Sequence, residues 1–127
     1  MSGITTYRDL EVWKEGVNIS TEIYSITQSF PKSEIYGLVS QIRRSAISIP
    51  LNIAEGHGRK STKSYISFLN IARGSINELE TCFIIAFNLK YINEKYYNEL
   101  MDRLNTLSKR LNSLVLSLNK KLITESP

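Results

Sequence analysis

Glu55, His57 and Arg59 bring a carboxylate, an imidazole and a guanidinium together over one turn of chain, in the run Glu55-Gly56-His57-Gly58-Arg59. A ribonuclease needs a base that titrates near neutrality and a cation to stabilise a phosphorane, and this trio contains both. His57 is the only histidine, so a neutral-range base has no other source. The competing reading is structural, with Glu55 at a helix end pairing with Arg59 or Lys63 and His57 in an exposed loop. We prefer it, and expect no enzyme. Neither a phosphate-cradling GxxxxGK[ST] loop nor a dinucleotide fingerprint occurs. One histidine and the single Cys82, far apart, make no zinc site, so neither metal nor cofactor is expected.

Positive charge is the stronger signal. Between Gln41 and Ser75 stand Arg43, Arg44, Arg59, Lys60, Lys63 and Arg73 against Glu55 alone, so the formal net charge of +4 belongs to the middle of the chain. An anionic partner should meet it there, and these six cations are the candidate contacts to RNA or DNA phosphates. Trp13 and the seven tyrosines are the groups able to stack on unpaired bases. Trp13 and Tyr65 fall on core rows, and Tyr91 and Tyr96 are the expected exposed aromatics, at the bundle end opposite Arg59. Aromatic residues therefore do not interleave with the cations, and any nucleic-acid contact should be backbone-directed and tolerant of sequence.

A length of 127 residues with 42% hydrophobic and 22% charged side chains suits one globular domain spanning 1–127. The lone Cys82 has no disulfide partner, which fits a reducing cytoplasmic compartment. No leader pattern opens the chain and no apolar run reaches about 18 residues, so neither secretion nor a membrane span is expected.

Four helices are expected to carry the candidate residues, over about 9–28, 33–56, 62–90 and 94–120. The first combines the row Leu10, Trp13, Val17, Ser20, Tyr24 with a second row, Val12, Ile19, Ile23, Ile26, and Asp9 as its N-cap. Phe30-Pro31 ends it, and Pro31 or a residue just after it opens the next. The second helix reads Ile35, Leu38, Ile42, Ala46, Ile49, Ile53. Pro50 removes the hydrogen bond to the Ala46 carbonyl, but the apolar register continues, so one helix kinked at Pro50 is expected, with Ser45 or Ser48 serving the freed carbonyl. Gly56 and Gly58 stop it in left-handed geometry. Ser61 or Thr62 caps the third helix, whose all-apolar run Cys82–Phe87 exceeds what a lone amphipathic helix can bury, and self-association is preferred to local cover. Asn93 caps the last, and its seam is Tyr97, Leu100, Leu104, Leu107, Leu111, Leu114, Leu118. Short connections between long helices give an all-α, up-down-up-down antiparallel four-helix bundle. Centred on Gly58, the second turn puts Arg44 and Arg73 at one height, with Arg59, Lys60 and Lys63 at the bundle end.

Read together, DLEVWKEG (Asp9–Gly16), IYSITQSFP (Ile23–Pro31), GLVSQIRRSAISIPLNIAEGHGR (Gly37–Arg59) and FLNIARGSINELE (Phe68–Glu80) resemble the bacterial four-helix-bundle family of 23S rRNA intervening-sequence proteins, over about Tyr7 to Leu118. The run with Pro50, Asn52, Glu55 and Gly56, followed by Gly58 and Arg59, is its signature; Gly16 and Ser45 stand where alanine is usual. The resemblance carries no established activity. Through the similar accessory protein of diversity-generating retroelements, a basic pentamer of four-helix subunits, it implies a homo-oligomer of five copies that binds nucleic acid. A protein partner such as a polymerase is the rival expectation, and a weak ribonuclease using His57 the second.

Overall fold

The computed structural model describes residues 6–125. Four helices account for most of it: α1 Glu11–Thr27, α2 Leu38–His57, α3 Thr62–Asn88 and α4 Glu94–Glu125. α1 packs on α2, α2 on α3 and α3 on α4, and a smaller contact closes α4 on α1, which is the up-down-up-down bundle. The core is one apolar cluster with Ile19, Ile23, Ile42, Ile49, Ile53, Leu69, Ile76, Leu79, Phe83, Leu100, Leu104 and Leu107 at its centre.

The two rows expected on α1 separate only in part, since Leu10 and Ser20 of the first are buried and Ile26 of the second is half-buried. Val12, Ile19 and Ile23 go to the core with Gly16, Ser20 and Thr27, whereas Trp13 and Val17 are half-buried and Tyr24 is exposed. Asp9 is not the cap of α1. It closes a capping box one turn earlier, its carboxylate accepting from the Thr6 N–H at 3.1 Å while the Thr6 hydroxyl accepts from the Arg8 N–H, and this holds the 3-10 turn Tyr7–Asp9. Residues 1–5 lie outside the described residues.

α2 begins five residues later than its apolar spacing suggested. Lys32–Glu34 form a 3-10 turn, Gly37 takes φ −113° and ψ −108°, and the Glu34 carboxylate accepts from the Leu38 N–H at 3.4 Å. Pro50 sits inside the continuous helix. The Ala46 carbonyl that it orphans is served not by Ser45 or Ser48 but from α1, by the Ser20 hydroxyl at 3.0 Å. Ser45 and Ser48 turn toward α3, the first to the Glu78 carboxylate at 3.4 Å and the second to the Ser75 hydroxyl at 2.7 Å.

Neither Gly56 nor Gly58 adopts left-handed geometry; Gly58, at φ −79°, is right-handed. Gly56 is instead a close-approach site, where a Cβ would stand 2.8 Å from Phe68 Cβ. The left-handed residue is Lys90, φ 66°, at the end of α3. There the Tyr91 N–H reaches the Ala86 carbonyl at 2.9 Å and the Lys90 N–H the Phe87 carbonyl at 2.9 Å, a Schellman closure without glycine. Asn93 caps α4 as expected, accepting from the Tyr96 N–H at 2.7 Å. α4 runs on to Glu125, past the expected end near residue 120, and Val115 joins its leucine seam in the core while Leu114 and Leu118 are half-buried. Arg103 ties α4 to α1 through Glu15, at 3.0 Å, and Glu22.

Candidate nucleic-acid interface

The α2–α3 turn is where exposed cations meet a helix N-terminus. Gly58, Arg59, Lys60, Ser61 and Ser64 line a concavity of about 480 Å³. Ser61 caps α3, its hydroxyl accepting from the Ser64 N–H at 3.1 Å. The N-terminus of the 27-residue α3, its positive dipole end, stands at this corner. Lys60 and Lys63 are exposed beside it. Arg59 is held in place: its guanidinium donates to Glu55 Oε1 at 2.6 Å and stacks 4.7 Å above the Phe68 ring.

The other three candidate cations do not join them. Arg43 belongs to the α1–α2 seam, where Nε donates to Thr27 Oγ1 at 2.9 Å, Nη2 donates to the Tyr24 carbonyl at 3.3 Å, and the guanidinium lies 4.6 Å over the Tyr24 ring. A cation at the carboxyl end of α1 complements that helix's dipole. Arg44, one residue on, is exposed. Arg73 is half-buried; it donates to Asn70 Oδ1 at 3.3 Å, and its Nε is buried with no hydrogen-bond partner. Residues two apart on a helix point about 200° from one another, so Arg73 faces away from the α2-facing Ser75.

Arg44 and Arg73 are not level either. The contacts of Ser48 with Ser75 and of Ser45 with Glu78 set Arg44 opposite Leu79, about 9 Å along the axis from Arg73. The shift from the expected register arises because the true turn centre follows Lys60, not Gly58.

Glu55, His57 and Arg59 do not converge as an acid–base set. Glu55 and Arg59, one turn apart, pair with each other, while His57 points to a different side of α2 and meets Tyr65 edge-on at 5.8 Å. Burial holds the Tyr65 phenol above its usual range. Burial, and then the charge of Glu78, likewise raise the free Cys82 thiol.

The aromatics differ from expectation. Tyr91 is half-buried, packed on Phe30 with ring centroids 5.4 Å apart and donating its hydroxyl to Glu34 at 2.9 Å, and Tyr96 is also half-buried. Among the described residues the most exposed ring is Tyr36, at 95%. It follows Ile35, and reading Ile35 into the core row of α2 hid it. Trp13 is half-buried against Tyr7, at 5.2 Å, and with Val17, Ile47, Pro50, Leu51 and Ala54 lines an apolar groove of about 450 Å³ between α1 and α2.

The family model of the 23S rRNA-intervening sequence proteins matches residues 8–113. The chain belongs to that family. A solved member of what is named the S23 ribosomal protein family, a protein of unknown function from Bacteroides thetaiotaomicron, is 25% identical, with a TM-score of 0.76 over 82% of this chain and 97% of its own. No curated protein matches the sequence.

In this intervening-sequence protein the signature run is occupied with packing. Pro50 lies against Gly16, where a Cβ would be 3.3 Å from Pro50 Cδ, and Gly56 lies against Tyr65 and Phe68. Asn52 donates to the Ser48 carbonyl at 2.8 Å and hydroxyl at 2.9 Å, extending the link to Ser75. These contacts set how closely α2 approaches its neighbours, and thereby where the Arg59–Lys63 corner stands. No helix is long and apolar enough to cross a membrane among the described residues.

Proposed function

We propose that this intervening-sequence protein is a non-enzymatic, homo-oligomeric, cytoplasmic bundle that contacts the phosphates of structured RNA or DNA in a sequence-tolerant way. The observation that carries the reading is the corner formed by Arg59, Lys60 and Lys63 around the N-terminus of α3. Helix-terminal N–H groups and mobile ammonium groups both suit phosphate oxygens and read no base edge. Arg44 supplies a further exposed cation along α2. Assembly is supported by Ile47, Leu51, Ile71, Ile84 and Ile85, apolar side chains that the bundle leaves exposed, and five copies is the number the family analogy suggests. A ring would repeat each basic corner and raise avidity for a polyanion.

The uncovered apolar groove also suits a rival reading, an interaction module for another protein such as a polymerase. Binding of labelled mixed RNA by wild type and by Lys60→Glu with Lys63→Glu separates the two. Phosphate contact predicts an affinity loss of about tenfold or more and a shallower salt dependence in the variant. RNA indifference in the wild type at low salt would leave the protein-partner reading. The RNA should be recovered uncut, since His57 is not joined by Glu55 and Arg59.

A further inference from the structure

Two glycines of the bundle are explained inside the chain, by Pro50 for Gly16 and by Tyr65 and Phe68 for Gly56. Gly74 is not. It lies in the interior of the 27-residue α3, where only proline is a poorer helix former, and a Cβ there would meet nothing within 4 Å among the described residues. Glycine in such a place fits a close approach by something outside the subunit.

The neighbours of Gly74 describe what that something contacts. Ile71, Gly74, Glu78 and Ile85 recur at helical steps and share one outward face of α3. Ile71 is 51% exposed and Ile85 44%. Glu78, between them, is exposed; it accepts from Ser45 at 3.4 Å and forms no ion pair among the described residues. The groove between α1 and α2 offers the complement. Ile47 and Leu51 line it with Trp13 and Val17, and Ile47 continues into an adjoining hollow of about 390 Å³ that Arg44 also lines. Arg44 has no hydrogen bond or ion pair among the described residues. One face is apolar with an unpaired carboxylate, the other apolar with an unpaired guanidinium.

We propose that α3 of a second copy seats this face in the α1–α2 groove, with Ile71 and Ile85 against Ile47 and Leu51, Glu78 meeting Arg44, and Gly74 permitting the close approach. Made in one direction only, from each copy to the next, the contact is heterologous and propagates into a closed ring or a filament. The proposal rests on the homo-oligomer reading and names its interface.

Sedimentation velocity of the full chain without nucleic acid tests it. Wild type should sediment as an assembly. Gly74→Leu, whose side chain enters open space within its own subunit, should keep its helical circular dichroism and associate about tenfold or more weakly. Arg44→Glu and Glu78→Arg should each weaken association, and the two together should restore it. An assembly whose mass survives Gly74→Leu, or a double reversal that fails to reassemble, overturns this contact while leaving the oligomer reading standing. A wild type that sediments as a single folded chain overturns both.

Discussion

The Ser20 hydroxyl of α1 stands 3.0 Å from the Ala46 carbonyl of α2, the acceptor that Pro50 deprives of its helical N–H. The same hydroxyl lies 2.9 Å from the Gly16 carbonyl of its own helix, so one proton serves an acceptor on each side of the seam. Gly16 makes this possible by letting α1 approach Pro50. A buried hydroxyl removed from such a position leaves a carbonyl unsatisfied, at a cost of about 1–3 kcal/mol. Ser20→Ala should therefore lower the unfolding free energy by about that amount in urea denaturation. A variant as stable as wild type would show that the Ala46 carbonyl needs no partner from α1.

Gly56→Ala should destabilise by about 1–3 kcal/mol despite the better helix propensity of alanine. The new methyl would sit 2.8 Å from Phe68 Cβ and 3.2 Å from the Tyr65 carbonyl, so α3 itself must shift. Gly58→Ala is the control, since Gly58 has right-handed φ and its nearest neighbours are at 3.6 Å. Thermal melts of the two should separate, with Gly58→Ala close to wild type. Equal melts would mean that the α2–α3 packing is slack at Gly56.

Much of the bundle was legible because its helices obey one period over long stretches, as in the leucine run of α4 from Leu100 to Leu111. Less legible was which of two adjacent rows a wide stripe buries. On α1 the row with Trp13 and Tyr24 has the larger rings, yet the row with Ile19 and Ile23 goes inside, because Gly16 and Ser20 let α2 approach on the flank between them. The candidate interface was legible only as charge. Its division into a corner of Arg59, Lys60 and Lys63 and a structural Arg43 depends on a three-residue shift in turn centre and on the end of α1, neither of which leaves a trace in spacing. Gly74 was passed over because a glycine inside a helix carries no sign of what approaches it.

Lys90→Gly should stabilise the protein by about 1 kcal/mol. Lys90 holds φ 66° at the end of α3, a conformation that costs an L-residue about 1–2 kcal/mol and glycine none of that steric penalty. Equilibrium denaturation is the measurement. A loss of stability instead would assign the lysine side chain a contact worth more than its backbone strain.

Alkaline pH should weaken the end of the bundle where Tyr91 meets Glu34. The hydrogen bond to the Glu34 carboxylate, then burial, then the charge of that carboxylate hold the Tyr91 phenol above its ordinary range. The folded chain thus favours the neutral phenol. Its contribution is complete below the ordinary tyrosine pKa of about 10 and is lost as pH climbs through the higher folded value. Unfolding midpoints followed from about pH 8 to pH 11 should fall more steeply for wild type than for Tyr91→Phe, which has no phenol to ionise. Parallel curves would show that the Glu34 contact does not bias ionisation.

Light scattering of the full chain, alone and with mixed RNA at two salt concentrations, tests the central claim most directly. The account predicts an assembly larger than one chain at both salts, gaining RNA mass at low salt and losing it at high salt as phosphate contacts are screened. A particle of one chain, or an assembly that ignores RNA even at low salt, would contradict it.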